Sequence, residues 1–198
     1  MRRNAEFKER VVHIWPYDLE RMTSMLRYAD IIDESVVDGL GIRVTAFFQG
    51  CPRHCEGCHN PNLLTMTGGK EISENEFVDL LLSKLSPLHK GVTFSGGDPL
   101  AQAEALLHVV SLLKQQKPQI DIWVYTGFVF EEVLSLPVMN LIDVLVDGPF
   151  IAAQKDLSLA FRGSANQRII DVPKSLTAGR VIEAVIENSF RSRQVSFM

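Results

Sequence analysis

A chain of 198 residues with 46% hydrophobic and 22% charged residues has the composition of a globular protein and can bury a large core. Its formal net charge of −4 gives no electrostatic reason to expect binding to nucleic acid or to an anionic membrane. No apolar run approaches the roughly 20 residues needed to span a bilayer. The charged start MRRNAEFKER lacks the apolar segment of a secretory signal, so an intracellular, cytoplasmic location is expected.

The first predicted elements are a helix, a strand and a second helix. Four apolar residues are spaced to line one face of an N-terminal helix: Leu19, Met22, Leu26 and Ala29. The segment RVTAFFQ (43–49) is rich in β-branched and aromatic residues and stops at Gly50, which predicts a strand. Ser73, followed three residues later by Glu76, is a capping-box signature and begins a helix predicted over 74–86.

The following part of the chain alternates short apolar runs with helical patterns. GVTF (91–94) predicts a buried strand that ends in the turn SGGDP, and apolar residues at helical spacing predict a helix over 101–116. The remaining predicted elements are a strand over 120–125, a short helix around 130–136, a strand over 141–146 and a candidate strand over 168–172.

This order of elements predicts the fold class. Strands that alternate with helices at such spacing are typical of βαβ units, which predicts an α/β fold with mostly parallel strands. An unusual loop follows each of the four main strands, namely the cysteine cluster, SGGDP, YTG and DGPF. Because such loops share the carboxyl face of a parallel α/β barrel, where active sites assemble, we expect them to lie together.

The segment GCPRHCEGCHN holds Cys51, Cys55 and Cys58, the only cysteines of the chain. Three buried cysteines can act simply as small hydrophobic residues, although this polar loop does not favour it. Structural zinc with His54 or His59 as fourth ligand is a second interpretation, but its usual pattern is two separated ligand pairs. CEGCH also matches a haem-attachment motif, which would leave Cys51 unexplained.

An iron–sulfur cluster explains the cysteines better. A cubane is held by thiolates and needs four ligands to close. Three cysteines on one loop would hold three irons and leave the fourth iron open to a small molecule. An open coordination position distinguishes catalytic from structural zinc sites, and the same logic applies here.

The spacing C-x3-C-x2-C resembles that of the radical S-adenosylmethionine (SAM) enzymes. Beyond the cysteines, the sequence resembles the activating enzymes of anaerobic ribonucleotide reductases. This resemblance is carried by the segments VDGLGIRVTAFFQGCPRHCEGCHNP, TFSGGDPL, IWVYTGF, VLVDGPF and KDLSLAFRGSANQRIIDV. The resemblance implies a partial (β/α) barrel in a single radical SAM domain over 1–198, with its core at about 31–173. The extensions 1–30 and 174–198 have no assigned role.

The resemblance also implies the roles of individual residues. Cys51, Cys55 and Cys58 would ligate a [4Fe–4S] cluster whose fourth iron binds SAM. Seven residues would contact SAM: Gly57, His59, Gly96, Gly97, Asp98, Asn166 and Gln167. Arg162 is a further candidate contact, and Asp147 stands where related activases carry an aspartate associated with a monovalent cation. No catalytic residue beyond the cluster ligands is implied, because the cofactors carry the chemistry.

The implied activity is reductive cleavage of SAM to a 5′-deoxyadenosyl radical, which generates a glycyl radical on the large subunit of the anaerobic ribonucleotide reductase. The electron would come from a flavodoxin- or ferredoxin-type donor. Three alternatives stay open. They are an activase of another glycyl radical enzyme such as pyruvate formate-lyase, a small-molecule radical SAM enzyme, and a zinc- or cluster-binding module without catalysis.

Overall fold

A sheet of seven strands organises residues 25–186, the part of the chain that the computed structural model describes. Its strands are β1 (Met25–Ser35), β2 (Ile42–Phe48), β3 (Lys70–Ser73), β4 (His89–Gly96), β5 (Asp121–Tyr125), β6 (Val144–Asp147) and β7 (Arg168–Asp171). They lie in the order β3-β1-β2-β4-β5-β6-β7. The predicted α/β class is confirmed.

The described range has four α-helices, three between strands and one after β7: α1 (Glu74–Lys84), α2 (Ala103–Gln116), α3 (Phe130–Val133) and α4 (Val172–Ala178). The predicted capping box begins α1, since the Ser73 hydroxyl accepts the Glu76 N–H and the Glu76 side chain reaches back to Ser73. The turn Pro99–Gln102 is a 3-10 helix, so α2 begins two residues later than predicted. None of the helices between residues 25 and 186 is long and apolar enough to cross a membrane.

The prediction of mostly parallel strands is wrong. Of the six strand pairings among the described residues, β2–β4, β4–β5 and β5–β6 are parallel, and the other three are antiparallel. Parallel neighbours need a crossover connection, whereas a chain that turns back directly gives an antiparallel pair. The short turn 36–41 joins β1 to β2 in this way, and the helix-poor loop 148–167 returns β6 to β7.

The prediction of an N-terminal helix is also wrong for its residues from Met25 onward, which the structure describes. Leu26 and Ala29 lie in β1, while Leu19 and Met22 fall outside the described residues. The first strand pairs with β2 on one side and β3 on the other, so tertiary pairing overrides the local helical spacing.

The two faces of the sheet are packed differently. The β2 residues Val44, Ala46 and Phe48 belong to the main core, which includes buried residues of α1 and α2. Side chains on the opposite face form a second, smaller cluster, built from Trp123, Val146 and Ile169 with Leu40, Tyr125 and Phe161 packed against it. The alternation follows from the two-residue period of a strand, and it leaves the second face free of α1 and α2.

One arginine is completely buried on this second face. The Arg43 guanidinium donates to the Thr93 hydroxyl (2.6 Å) and to the Val92 carbonyl (3.0 Å), and it forms an ion pair with Asp121. It also lies 5.2 Å from the centre of the Trp123 ring. Burial lowers the pKa of Arg43, and the Asp121 charge acts in the opposite direction. Arg43 therefore joins β2, β4 and β5 by polar contacts.

We expect Arg43→Met to lower the free energy of unfolding by about 3 kcal/mol, because it leaves the Asp121 carboxylate without its buried partner. Lys84→Met is the matched control, since Lys84 pairs with Asp33 through partly exposed side chains and should cost less than about 1 kcal/mol. Urea unfolding of both variants measures the difference. Equal losses in the two variants would contradict the role given to Arg43.

Candidate metal centre and its surroundings

Four loops meet at one edge of the sheet. The strands β2, β4, β5 and β6 are parallel neighbours, so the segments after Phe48, Gly96, Tyr125 and Asp147 leave the sheet on the same side. Direct contacts between these loops, described below, confirm the prediction that they lie together.

The cysteine loop begins at the end of β2 and is anchored at its far end. The Gly50 N–H donates to the Leu63 carbonyl (2.8 Å), and the Cys51 N–H donates to the Leu64 carbonyl (3.1 Å). Within the loop, the Cys58 N–H donates to the Cys55 carbonyl (3.1 Å). These bonds close the loop on itself and hold all three cysteines on one short segment.

The three thiols are free and half-buried. Burial raises the pKa of the Cys51 thiol, and the Arg53 N–H, 3.4 Å from its sulfur, acts in the opposite direction. His54 and His59 are exposed. Between residues 25 and 186 no group of three His, Cys, Asp or Glu side chains is placed to hold a single metal ion. Each cysteine of a cubane binds a different iron, so this donor set fits an iron–sulfur cluster.

Two glycines bring the end of β4 against the cysteine loop. The Gly97 N–H donates to the Phe48 carbonyl, and the Asp98 N–H donates to the Gly50 carbonyl, both at 2.8 Å. A Cβ at Gly97 would lie 2.7 Å from the carbonyl carbon of Gly50, and one at Gly96 would lie 2.6 Å from the Phe48 nitrogen. Such distances are too short for a real Cβ, so the approach requires glycine at both positions.

Asp98 is completely buried and ties the loop after β4 to the loop after β5. Its carboxylate accepts the Leu100 N–H (3.0 Å), the Thr126 hydroxyl (2.9 Å) and the Gly127 N–H (3.0 Å). Burial raises its pKa, while these hydrogen bonds oppose the shift. Both carboxylate oxygens are therefore occupied by protein groups, which makes Asp98 a residue that shapes the site.

Gly57 places the cysteine loop beside the loop after β6. Its φ is +69°, a left-handed conformation that favours glycine, and its Cβ position lies 3.6 Å from the Phe150 ring and 3.8 Å from Ala152. An alanine here would fit the space but not the backbone conformation.

The segment FRGSANQR folds back onto the loop after β6. The Asn166 amide donates to the Pro149 carbonyl (2.8 Å), and the Gln167 amide donates to the Gly148 carbonyl (3.1 Å). The Gln167 side-chain oxygen accepts the Gly163 N–H, and Arg162 donates to the Gln167 carbonyl. In contrast, Asn166 Oδ1 and Arg162 Nε are buried without a hydrogen-bond partner among the described residues.

Asp147 does not stand open to a cation. Arg168 donates to both of its carboxylate oxygens, and the Phe130 N–H donates to one of them at 2.7 Å. The same guanidinium also binds Glu131 through two hydrogen bonds. This cluster joins the end of β6 and the start of β7 to the start of α3.

Several residues at this edge were not predicted from the sequence. Asn60 donates to the Gly96 carbonyl (3.2 Å), Thr126 binds Asp98, and Phe150 lies against Gly57. Arg53 contacts the loop after β5. All four residues lie in loops that follow predicted strands, but their contacts join distant loops and have no local signal in the sequence.

Comparison with known proteins gives a matching family model and a distant structural neighbour. Residues 37–170 match the model of a family described as a 4Fe-4S single cluster domain, a range that includes the three cysteines and all four loops. The crystal structure of QueE from Escherichia coli resembles the chain only distantly, with a TM-score of 0.41 and 15% identity over 57% of both chains.

Relatives of known name are considerably more similar. The anaerobic ribonucleoside-triphosphate reductase-activating protein of Haemophilus influenzae is 38% identical over 152 residues, which cover 73% of this chain and 97% of that protein. Proteins of the same name from Escherichia coli K12 and Enterobacteria phage T4 are each 34% identical, covering 72% and 73% of this chain and 96% and 93% of their own lengths. The chain belongs to this family of reductase-activating proteins, which confirms the predicted resemblance.

We expect Gly97→Ala to reduce the iron and sulfide bound per chain to less than half of the wild-type level, because the added Cβ displaces the backbone at Gly50. Anaerobic reconstitution followed by iron and sulfide analysis measures this loss. The control is Gly179→Ala, at a left-handed glycine with no atom within 4 Å of its Cβ position, which should load normally. Normal loading of Gly97→Ala would contradict the described packing.

Proposed function

We propose that this protein activates an anaerobic ribonucleoside-triphosphate reductase by generating a glycyl radical on its large subunit. The observation that carries the proposal is the similarity to reductase-activating proteins over 97% of the length of one of them. The free thiols of Cys51, Cys55 and Cys58, on one loop at the carboxyl edge of the sheet, support it independently.

Under this proposal Cys51, Cys55 and Cys58 would hold a [4Fe–4S] cluster next to bound SAM. The cluster would supply the electron for cleavage of SAM to methionine and a 5′-deoxyadenosyl radical, and this radical would take a hydrogen atom from a glycine of the reductase. The residues of the chain position these groups and exclude water from them. The sheet, with its second face as the interior, is proposed to form the expected partial barrel.

The predicted SAM contacts fall into three groups by their position in the fold. Gly96 and Gly97 are partly exposed at this edge, and we assign to this segment the methionine amino group, with Asp98 acting through the position of the segment. Gly57 and His59 flank Cys58 in the cysteine loop and are assigned to the nucleoside. Asn166 is a stronger candidate for direct contact than Gln167, because its Oδ1 has no partner among the described residues.

The described residues contain no cysteines besides these three, which leaves no thiolates for an additional cluster in that range. The electron is therefore assigned to an external donor of the flavodoxin or ferredoxin type. The main alternative is activation of a different glycyl radical enzyme, such as pyruvate formate-lyase. The two activities share their chemistry, so only the partner protein distinguishes them.

We expect Cys55→Ala to lose its cluster and to form no 5′-deoxyadenosine from SAM under reducing conditions, because a thiolate ligand is missing. His54→Ala changes the neighbouring exposed residue and should keep both the cluster and the cleavage activity. Iron and sulfide analysis with chromatography of the SAM products measures both variants. A Cys55→Ala protein with full cluster content, or wild-type protein that binds zinc without sulfide, would contradict the proposal.

A further inference from the structure

Arg53 lies between the first two cysteines, yet its side chain reaches another part of the molecule. Its guanidinium is stacked 4.6 Å from the centre of the Phe128 ring, in the loop after β5. The same group forms an ion pair with Glu132 of α3, at 3.0 Å between Nη2 and Oε2. Gly127 allows the approach, because a Cβ at that position would lie 2.6 Å from the Arg53 Cδ.

These contacts fix the guanidinium of a residue that lies two positions from Cys51 and two from Cys55. The Arg53 backbone N–H points to the Cys51 sulfur at 3.4 Å, so movement of Arg53 would also move this contact. Its Nε–H is buried and has no hydrogen-bond partner in the described part of the chain. Asp98 interacts electrostatically with both Arg53 and Cys51.

We propose that Arg53 is a positioning residue for the cluster: it fastens the cysteine loop to the loop after β5 and makes the cluster easier to reduce through its fixed positive charge. This inference rests on the proposed function, since it requires a cluster on the three cysteines. Reduction adds one negative charge, and a neighbouring cation stabilises the reduced form more than the oxidised form. Hydrogen bonding and net charge near the sulfurs are established determinants of cluster potentials.

A variant of Glu132 tests the direction in which the reduction potential of the cluster shifts. Arg53→Met and Glu132→Gln both break the same ion pair, but the first removes a positive charge and the second a negative charge. If the charge acts on the cluster, the reduction potential falls in Arg53→Met and rises in Glu132→Gln. Loosening of the loop alone would move both potentials in the same direction, because both variants lose the same contact.

The experiment is a redox titration of the anaerobically reconstituted full-length protein without SAM, followed by electron paramagnetic resonance of the reduced cluster. At a fixed potential, we expect the ratio of reduced to oxidised cluster to fall at least threefold in Arg53→Met, or about 28 mV for a one-electron couple. Arg53→Lys keeps the charge and should stay closer to the wild-type ratio. Glu132→Gln should shift the ratio upward.

Arg180→Met is the matched control. Arg180 is exposed and follows α4, which the antiparallel strand β7 places toward the opposite edge of the sheet. The reduction potential of the cluster in Arg180→Met should equal that of the wild type. Unchanged potentials, or shifts of the same sign in Arg53→Met and Glu132→Gln, overturn the inference. If Arg53→Met takes up no cluster, a Glu132→Gln potential at or below the wild-type value overturns it. A wild-type protein without a cluster refutes the proposed function instead, before any variant is compared.

Discussion

The arrangement of the candidate site depends on the close contact between the backbones at the ends of β2 and β4. Gly97 and Asp98 donate to the carbonyls of Phe48 and Gly50, which extends the pairing of the two strands into the loops that follow them. Side chains larger than hydrogen at Gly96 and Gly97 would separate these segments. These hydrogen bonds therefore fix the position at which the cysteine loop leaves the sheet. The other contacts of the loop depend on that position.

From this contact the site is built outward by connections between loops. Asp98 joins the loop after β4 to the loop after β5, Arg53 joins the latter to the cysteine loop, and Gly57 brings the cysteine loop to Phe150. Two arginines with ion pairs support the arrangement. Arg43 joins three strands on the second face, and Arg168 holds Asp147 and Glu131 together beside the loops. The functional edge thus rests on rigid strands rather than on the loops alone.

The sequence predicted the central strands and the edge at which the site lies, because apolar runs and the loops after them are local signals. It did not predict β1, whose pairing with β2 and β3 outweighs a helical spacing of apolar residues. The buried Arg43 was also missed, since its partners Thr93 and Asp121 lie 50 and 78 residues away. The same separation along the chain explains why the hydrogen bond between Asp98 and Thr126, 28 residues apart, was not predicted. Contacts of this kind become visible only when the strands are assembled.

The central claim is that the cysteine loop carries a cluster whose radical chemistry is directed at the anaerobic ribonucleotide reductase. The most direct test is electron paramagnetic resonance of the anaerobically reconstituted protein with reductant and SAM, mixed in parallel with that reductase and with pyruvate formate-lyase. We predict a glycyl radical signal with the reductase only. A signal with the lyase only would contradict the choice of partner. No glycyl radical with either protein would contradict both the proposed activity and its main alternative.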